Sequence, residues 1–156
     1  MKLMAFLEKK AIAIDLKSTA KKDVIEELLD LLIKAGTVKP KDKQKLLDDL
    51  LAREELGSTG IGQGIGIPHA KSDSIGELVG SFGISKKGVG FDSLDGEPVY
   101  IFFLLLAPKD SAGPHLKALA RISRLLKDKY VREELKQAKT AEDVLRLMKR
   151  EDEKQE

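Results

Sequence analysis

The sequence predicts a single α/β domain with helices covering both faces of one sheet. Three observations predict it. Strand-like and helix-like stretches alternate along 156 residues, with no repeat and no interdomain linker. One run, Val99 to Ala107, is apolar without alternation and is closed by Pro108, the pattern of a strand buried on both sides. The composition, 42% apolar and 35% charged, suits a globular chain with a sizeable core.

Ala11 to Leu16 (A-I-A-I-D-L) reads as a short strand. Ser18 or Thr19 then caps a helix whose apolar face is Val24, Ile25, Leu28, Leu29 and Leu32, and Gly36 ends it. Pro40 suits the start of a second helix, buried through Leu46, Leu47, Leu50 and Leu51 and stopping between Glu55 and Gly57. Gly57 to Lys71 (G-S-T-G-I-G-Q-G-I-G-I-P-H-A-K) carries no charge before Lys71, and Ile61, Ile65 and Ile67 suggest extended structure. Leu78 to Ile84 reads as a strand, Lys86 to Gly88 as a turn, and Val89 to Phe91 as the return. Ser93 to Gly96 carries an Asp-Gly turn signal. After the buried strand, Pro114 opens a third helix with Leu116, Leu119, Ala120, Ser123 and Leu126 on one side. A short helix spans Val131 to Ala138. Thr140 caps a last one, with Asp143 three residues on and Ala141, Val144, Leu145 and Met148 as its face. The expected domain is 1–150, followed by a charged tail, 151–156, that frays.

Composition excludes several functions. A net charge of +2, dispersed lysines and 4% aromatics give no footprint for nucleic acid. Without cysteine there is no disulfide, thiolate or cysteine-zinc chemistry, and two histidines with scattered carboxylates show no metal-site spacing. Met1 to Glu8 holds too short an apolar stretch for a signal peptide, and no run approaches the roughly 20 residues of a spanning helix. The expectation is a cytoplasmic protein with no direct membrane insertion. Neither G-x-G-x-x-G nor G-x-x-x-x-G-K-[ST] occurs in the glycine stretch, and G-x-S-x-G is absent.

What remains is a pair of histidines, each preceded by proline: His69 closes the glycine stretch and His115 lies in the first turn of a helix. Glycines let a ligand approach the backbone, and imidazole is both nucleophilic and half neutral near pH 7. A helix start favours a bound anion and keeps a nearby imidazole neutral. Arg53, four residues before the glycine stretch, has the planar fork that clasps phosphate oxygens. On residue types alone, bystander histidines at a turn and a helix end, with a solvated arginine, account for these positions equally well.

The order of the motifs narrows this. R-E-E-L-G-S-T-G-I-G-Q-G-I-G-I-P-H-A-K (Arg53 to Lys71) strongly resembles the phosphorylation-site motif of the enzyme IIA domain of the bacterial phosphotransferase system, fructose/mannitol type. The likeness continues through G-V-G-F-D-S-L-D-G-E-P-V (Gly88 to Val99), F-F-L-L-L-A-P (Phe102 to Pro108) and H-L-K-A-L-A-R-I-S-R-L-L (His115 to Leu126). It runs from about Ala5 to Lys149. It implies a mixed parallel and antiparallel sheet flanked by helices. It implies that His69 accepts a phosphoryl group from the phosphocarrier protein HPr and passes it to the IIB component of a sugar permease. His115 becomes the second active-site histidine, Arg53 the phosphoryl-steadying arginine, and Ser58 and Thr59 hydroxyl positions of the site, with no metal and no cofactor. Gly66 departs from the family, which often has alanine there. H-A-K-S-D (His69 to Asp73) resembles the fructose branch more than the mannitol branch. A nitrogen-regulatory branch shares G-S-T-G-I-G, and a non-catalytic interaction module on the same fold is a further alternative.

Overall fold

The computed structural model describes residues 1–155. Six strands form one sheet: β1 (Leu7–Ala13), β2 (Gly60–Gly62), β3 (Ile65–Gly66), β4 (His69–Ser72), β5 (Val79–Val89) and β6 (Val99–Pro108). Five α-helices accompany them: α1 (Lys21–Lys34), α2 (Lys43–Glu55), α3 (Ala112–Leu126), α4 (Lys129–Lys136) and α5 (Ala141–Lys154). The sheet order is β1-β5-β6-β3-β2, and β4 also pairs with β6. β5 and β6 are antiparallel, whereas β1 on β5, and β3 and β4 on β6, are parallel. The expected single α/β domain with a mixed sheet and helices on both faces is therefore what forms.

The doubly apolar run explains the architecture. Ile101 to Ala107 are fully buried. Because side chains alternate across a strand, Phe102, Leu104 and Leu106 enter the core beneath α1 and α2. Ile101, Phe103 and Leu105 enter the core beneath α3, α4 and α5. Both layers thus close on one strand, and a single polar substitution there would damage both.

Several boundaries differ from expectation. β1 begins four residues early, at Leu7, because its partner Gly80 already receives the chain at that point. α1 is not capped by Ser18 or Thr19: its N-cap is Ala20, which bridges to Gly90, while the Glu27 carboxylate accepts from the Lys17 and Ser18 N–H groups. Pro40 starts a one-turn 3-10 helix that leads into α2. The expected turn at Lys86 to Gly88 is a bulge inside one continuous strand. Register with β6 slips between Ile84 and Val89, Ser85 Oγ accepts from the Gly88 N–H, and Gly88 adopts φ +86°, which suits glycine.

α3 starts at Ala112 and is rotated from the expected face. It buries His115, Ala118, Arg121, Ile122, Leu125 and Leu126, and leaves Leu116 68% exposed. The tail expected to fray from Glu151 instead continues α5 to Lys154, because Asp152 is buried against Arg121 and the Leu3 and Met4 N–H groups. The capping box of Thr140 with Asp143 forms as the spacing predicts. No helix among the described residues is long and apolar enough to cross a membrane.

Candidate active site

β3 and β4 are two pieces of one extended path along the edge of β6, separated by Ile67 and Pro68. Proline has no N–H to give the ladder, but its carbonyl still accepts from Leu105 N–H at 2.9 Å. His69 therefore resumes the strand opposite Leu105. Leu105 belongs to the α3 side of the core, so register turns the imidazole toward α3. There the ring meets His115, at a centroid distance of 5.2 Å and an interplanar angle of 77°.

The two rings are held differently. His69 is half-buried and its Nδ1 lies 2.8 Å from the Ile67 carbonyl oxygen. A carbonyl only accepts, so Nδ1 carries the proton and Nε2 keeps its lone pair. His115 is 6% exposed, and its buried Nε2 has no hydrogen-bond partner. Buried polar atoms are nearly always satisfied. This one is left unsatisfied on a ring that packs edge-on against His69.

Both imidazoles are neutral at pH 7. Burial lowers the pKa of His69. The Ile67 hydrogen bond works against that shift, and the Arg53 charge works with it. His115 is lowered to about 4, first by burial and then by the charges of His69 and Lys71.

The rings open into a groove of about 680 Å³ whose cationic edge is Arg53, Lys71 and Lys109. Leu116, Leu119 and Ala112 of α3 supply an apolar wall. Arg53 comes from the last turn of α2, and its Nη1 donates to the Gly57 carbonyl at 2.7 Å, which folds the guanidinium back beside the glycine stretch. The structure thus gathers His69, His115 and Arg53.

It does not gather Ser58 and Thr59. Ser58 faces a separate cleft beside Lys21 and Asp92, where its hydroxyl donates to the Phe91 carbonyl and accepts from Gly60 N–H. Thr59 is 3% exposed and its hydroxyl donates to Glu54 at 2.5 Å. Glu54 was not anticipated as buried. It follows Leu47 and Leu50 at helical spacing, on the face that α2 buries. Lys71, Lys109 and Leu116 were also missed as site residues. The extra leucine on the wrong side of α3 was their one sequence signal. Gly66 has a local reason: a Cβ there would sit 3.1 Å from Val99 and 3.2 Å from Phe102.

Fold and site together describe a domain that holds a neutral imidazole with a free Nε2 in an open, cation-edged groove rather than in an enclosed pocket. Residues 5–151 match the pattern described as "Phosphoenolpyruvate-dependent sugar phosphotransferase system, EIIA 2", and the chain belongs to that family. It is 38% identical over 152 residues to the PTS system fructose-specific EIIABC component of Bacillus subtilis, covering 97% of this chain but only 24% of that protein. It is 37% identical over 138 residues to a nitrogen regulatory protein of Bradyrhizobium diazoefficiens, covering 88% of each. The crystal structure of the nitrogen regulatory protein IIA-Ntr from Neisseria meningitidis superimposes with a TM-score of 0.83 at 34% identity, covering 92% of this chain and 97% of that one.

Proposed function

We propose that this protein is a cytoplasmic phosphocarrier that accepts a phosphoryl group on His69 Nε2 from phospho-HPr and delivers it to a IIB component of a fructose-like sugar permease. The observation that carries the proposal is the pairing of a free Nε2 lone pair on His69 with the unpartnered Nε2 of His115 in one groove. The P–N bond to the donor breaks as the P–N bond to His69 forms. Nδ1 keeps its proton throughout, and the Ile67 carbonyl stabilises the positive charge that the phosphorylated ring acquires. Arg53 and His115 share the phosphoryl oxygens, so transfer relies on positioning and fixed charge, with no metal in the step. The open groove and the exposed Leu116 suit a site that two protein partners must reach in turn.

The match to nitrogen regulatory proteins over most of their length supports a second reading, in which the phosphorylation state of His69 controls partner proteins and no sugar is moved. Incubation with phosphoenolpyruvate, enzyme I and HPr, followed by addition of candidate IIB proteins, tests both. Label on the wild type that His69→Ala abolishes supports the carrier. Drainage of that label by a IIB favours sugar transfer, and label that no IIB drains favours regulation. Labelling that survives His69→Ala sinks both readings.

A further inference from the structure

We propose that Glu54 is a positioning residue for His69, acting through the peptide groups of Thr59 and Ile67. The proposal rests on the phosphocarrier reading of His69. Its basis is one continuous path of hydrogen bonds. The Glu54 carboxylate accepts from Thr59 N–H at 3.0 Å and from the Thr59 hydroxyl at 2.5 Å. The Thr59 carbonyl accepts from Ile67 N–H at 3.0 Å. The Ile67 carbonyl accepts from His69 Nδ1–H at 2.8 Å. Three links therefore run from a buried charge to the proton that leaves Nε2 free.

Each link has a reason to exist. The stretch from Gly57 to Gly66 contains five glycines and has little stiffness of its own. Something outside it must fix its register. Glu54 does so from the rigid end of α2, one residue from Arg53, so the same helix turn places the arginine and, through Thr59, anchors the segment that carries Ile67. The carboxylate is itself held: its side chain is 4% exposed and Lys21 Nζ of α1 lies 2.8 Å away. Lys21 in turn lies 4.9 Å above the Phe91 ring. Charge-assisted bonds of this kind are the strong ones, and a buried carboxylate with three donors is a stiff anchor. The last acceptor is also apt, since the Ile67 carbonyl precedes proline and is left for the imidazole. Ser58 and Thr59, which the motif singles out but the groove does not contain, thereby acquire roles: Thr59 transmits, and Ser58 ties the loop to Phe91.

The test is Glu54→Gln, which keeps the shape but gives up one acceptor oxygen and the charge that pairs with Lys21. Ring ¹⁵N chemical shifts of His69 report its tautomer without any phosphoryl donor. The variant is expected to lose the pure Nδ1–H form and to take up phosphoryl from phospho-HPr about 10- to 100-fold more slowly, with KM for HPr unchanged. An unchanged tautomer and rate in the folded variant would overturn the proposal, as would a rise in KM alone. If Glu54→Gln does not fold, Thr59→Val and Thr59→Ser carry the test. Val removes one link and is expected to shift the tautomer, and Ser is expected to restore it; identical behaviour of the two overturns the proposal. A wild type with a fixed Nδ1–H tautomer that takes no phosphoryl would defeat the carrier reading and leave the positioning role standing.

Discussion

Each half of the site is backed by an ion pair built on a buried carboxylate, and the two pairs do different work. Behind Arg53 and His69 lies Glu54 with Lys21, whose hydrogen bonds lead through Thr59 and Ile67 to the His69 ring. Behind His115 lies Arg121 with Asp152, six residues along α3, whose partners are the two ends of the chain. Asp152 accepts from the Leu3 and Met4 N–H groups at 2.9 and 3.0 Å and from Arg121 at 2.7 and 3.0 Å. Arg121 and Lys2 also donate to the Asp152 carbonyl. Burying charge is costly unless every lone pair is satisfied, and both sites meet that condition. Near the imidazole the satisfied charge fixes a geometry. At the chain ends it fixes a topology, joining α5 to the residues that precede β1.

Asp152→Ala tests this contrast with the largest expected effect. Removing the carboxylate leaves the Leu3 and Met4 N–H groups without their acceptor and the buried Arg121 guanidinium without its counter-charge, held only by backbone carbonyls, a loss of about 3–5 kcal/mol. The melting temperature should fall on the order of 10 °C for a chain of this size. Phosphoryl uptake per folded molecule should stay at the wild-type value, measured at a temperature where both proteins are fully folded. A fall in uptake beyond the folded fraction would break the comparison, since the distal pair would then also be setting site geometry.

The two pairs were equally hard to see in the sequence, for the same physical reason. α2 and α3 each place one charged residue on the buried face: Glu54 follows Leu50 by four, and Arg121 precedes Leu125 by four. Periodicity reads charge as solvated, so the buried face expected for α2 ends at Leu51, although the helix itself is expected to run to Glu55. α3 was phased on Leu116 and Leu119, which wall the groove: Leu116 stays exposed and Leu119 only packs against the rim of the core. Asp152 pairs with groups some 150 residues away, and nothing local announces that, so the end of α5 read as a frayed tail. Legibility was high where a covalent constraint or an unbroken pattern acts locally. The β6 run, the Thr140 capping box and the glycine stretch ending at Pro68-His69 all formed near where they were expected. The family motif named His69, His115 and Arg53, and the groove contains all three. It also named Ser58 and Thr59, whose hydroxyls are committed elsewhere.

Acid separates the two regions by pH window. His115 has a folded pKa of about 4, below its ordinary 6.5, because burial and then the charges of His69 and Lys71 disfavour the imidazolium. Between those values the unfolded chain binds a proton that the folded chain refuses, so stability present above about pH 6.5 is lost as pH falls toward 4. The loss is about 3 kcal/mol at most. Burial would raise the pKa of Asp152, but the Met4 and Leu3 N–H groups and Arg121 hold it below 3.8. Its contribution therefore survives to about pH 4 and is lost only below it. Urea unfolding at pH 7, 5.5 and 4 should show a downward slope that His115→Gln flattens and Asp152→Asn leaves unchanged. A slope untouched by His115→Gln would mean that the imidazole is not held neutral by its surroundings.

The smallest effect comes from an ion pair that looks stronger on paper than either of the others. Arg150 of α5 makes a forked contact with Glu134 of α4 at 2.8 and 3.1 Å and a third bond to Glu151 at 2.9 Å. Yet its side chain is 48% exposed and that of Glu134 is 51% exposed. Water competes for both partners, salt screens them, and ordering two long side chains cancels most of the Coulomb gain. Arg150→Gln should leave the melting temperature unchanged within measurement error at 0.15 M salt, a concentration where charges about 8 Å apart are already screened. Each arginine makes two hydrogen bonds to its carboxylate, Arg150 to both oxygens of Glu134 and Arg121 to a single oxygen of Asp152, but Arg121 and Asp152 are only 6% and 3% exposed. A drop as large as that of Asp152→Ala would mean that hydrogen-bond geometry rather than burial separates structural ion pairs from decorative ones here, and the contrast between these two near neighbours in the last turn of α5 would have to be redrawn.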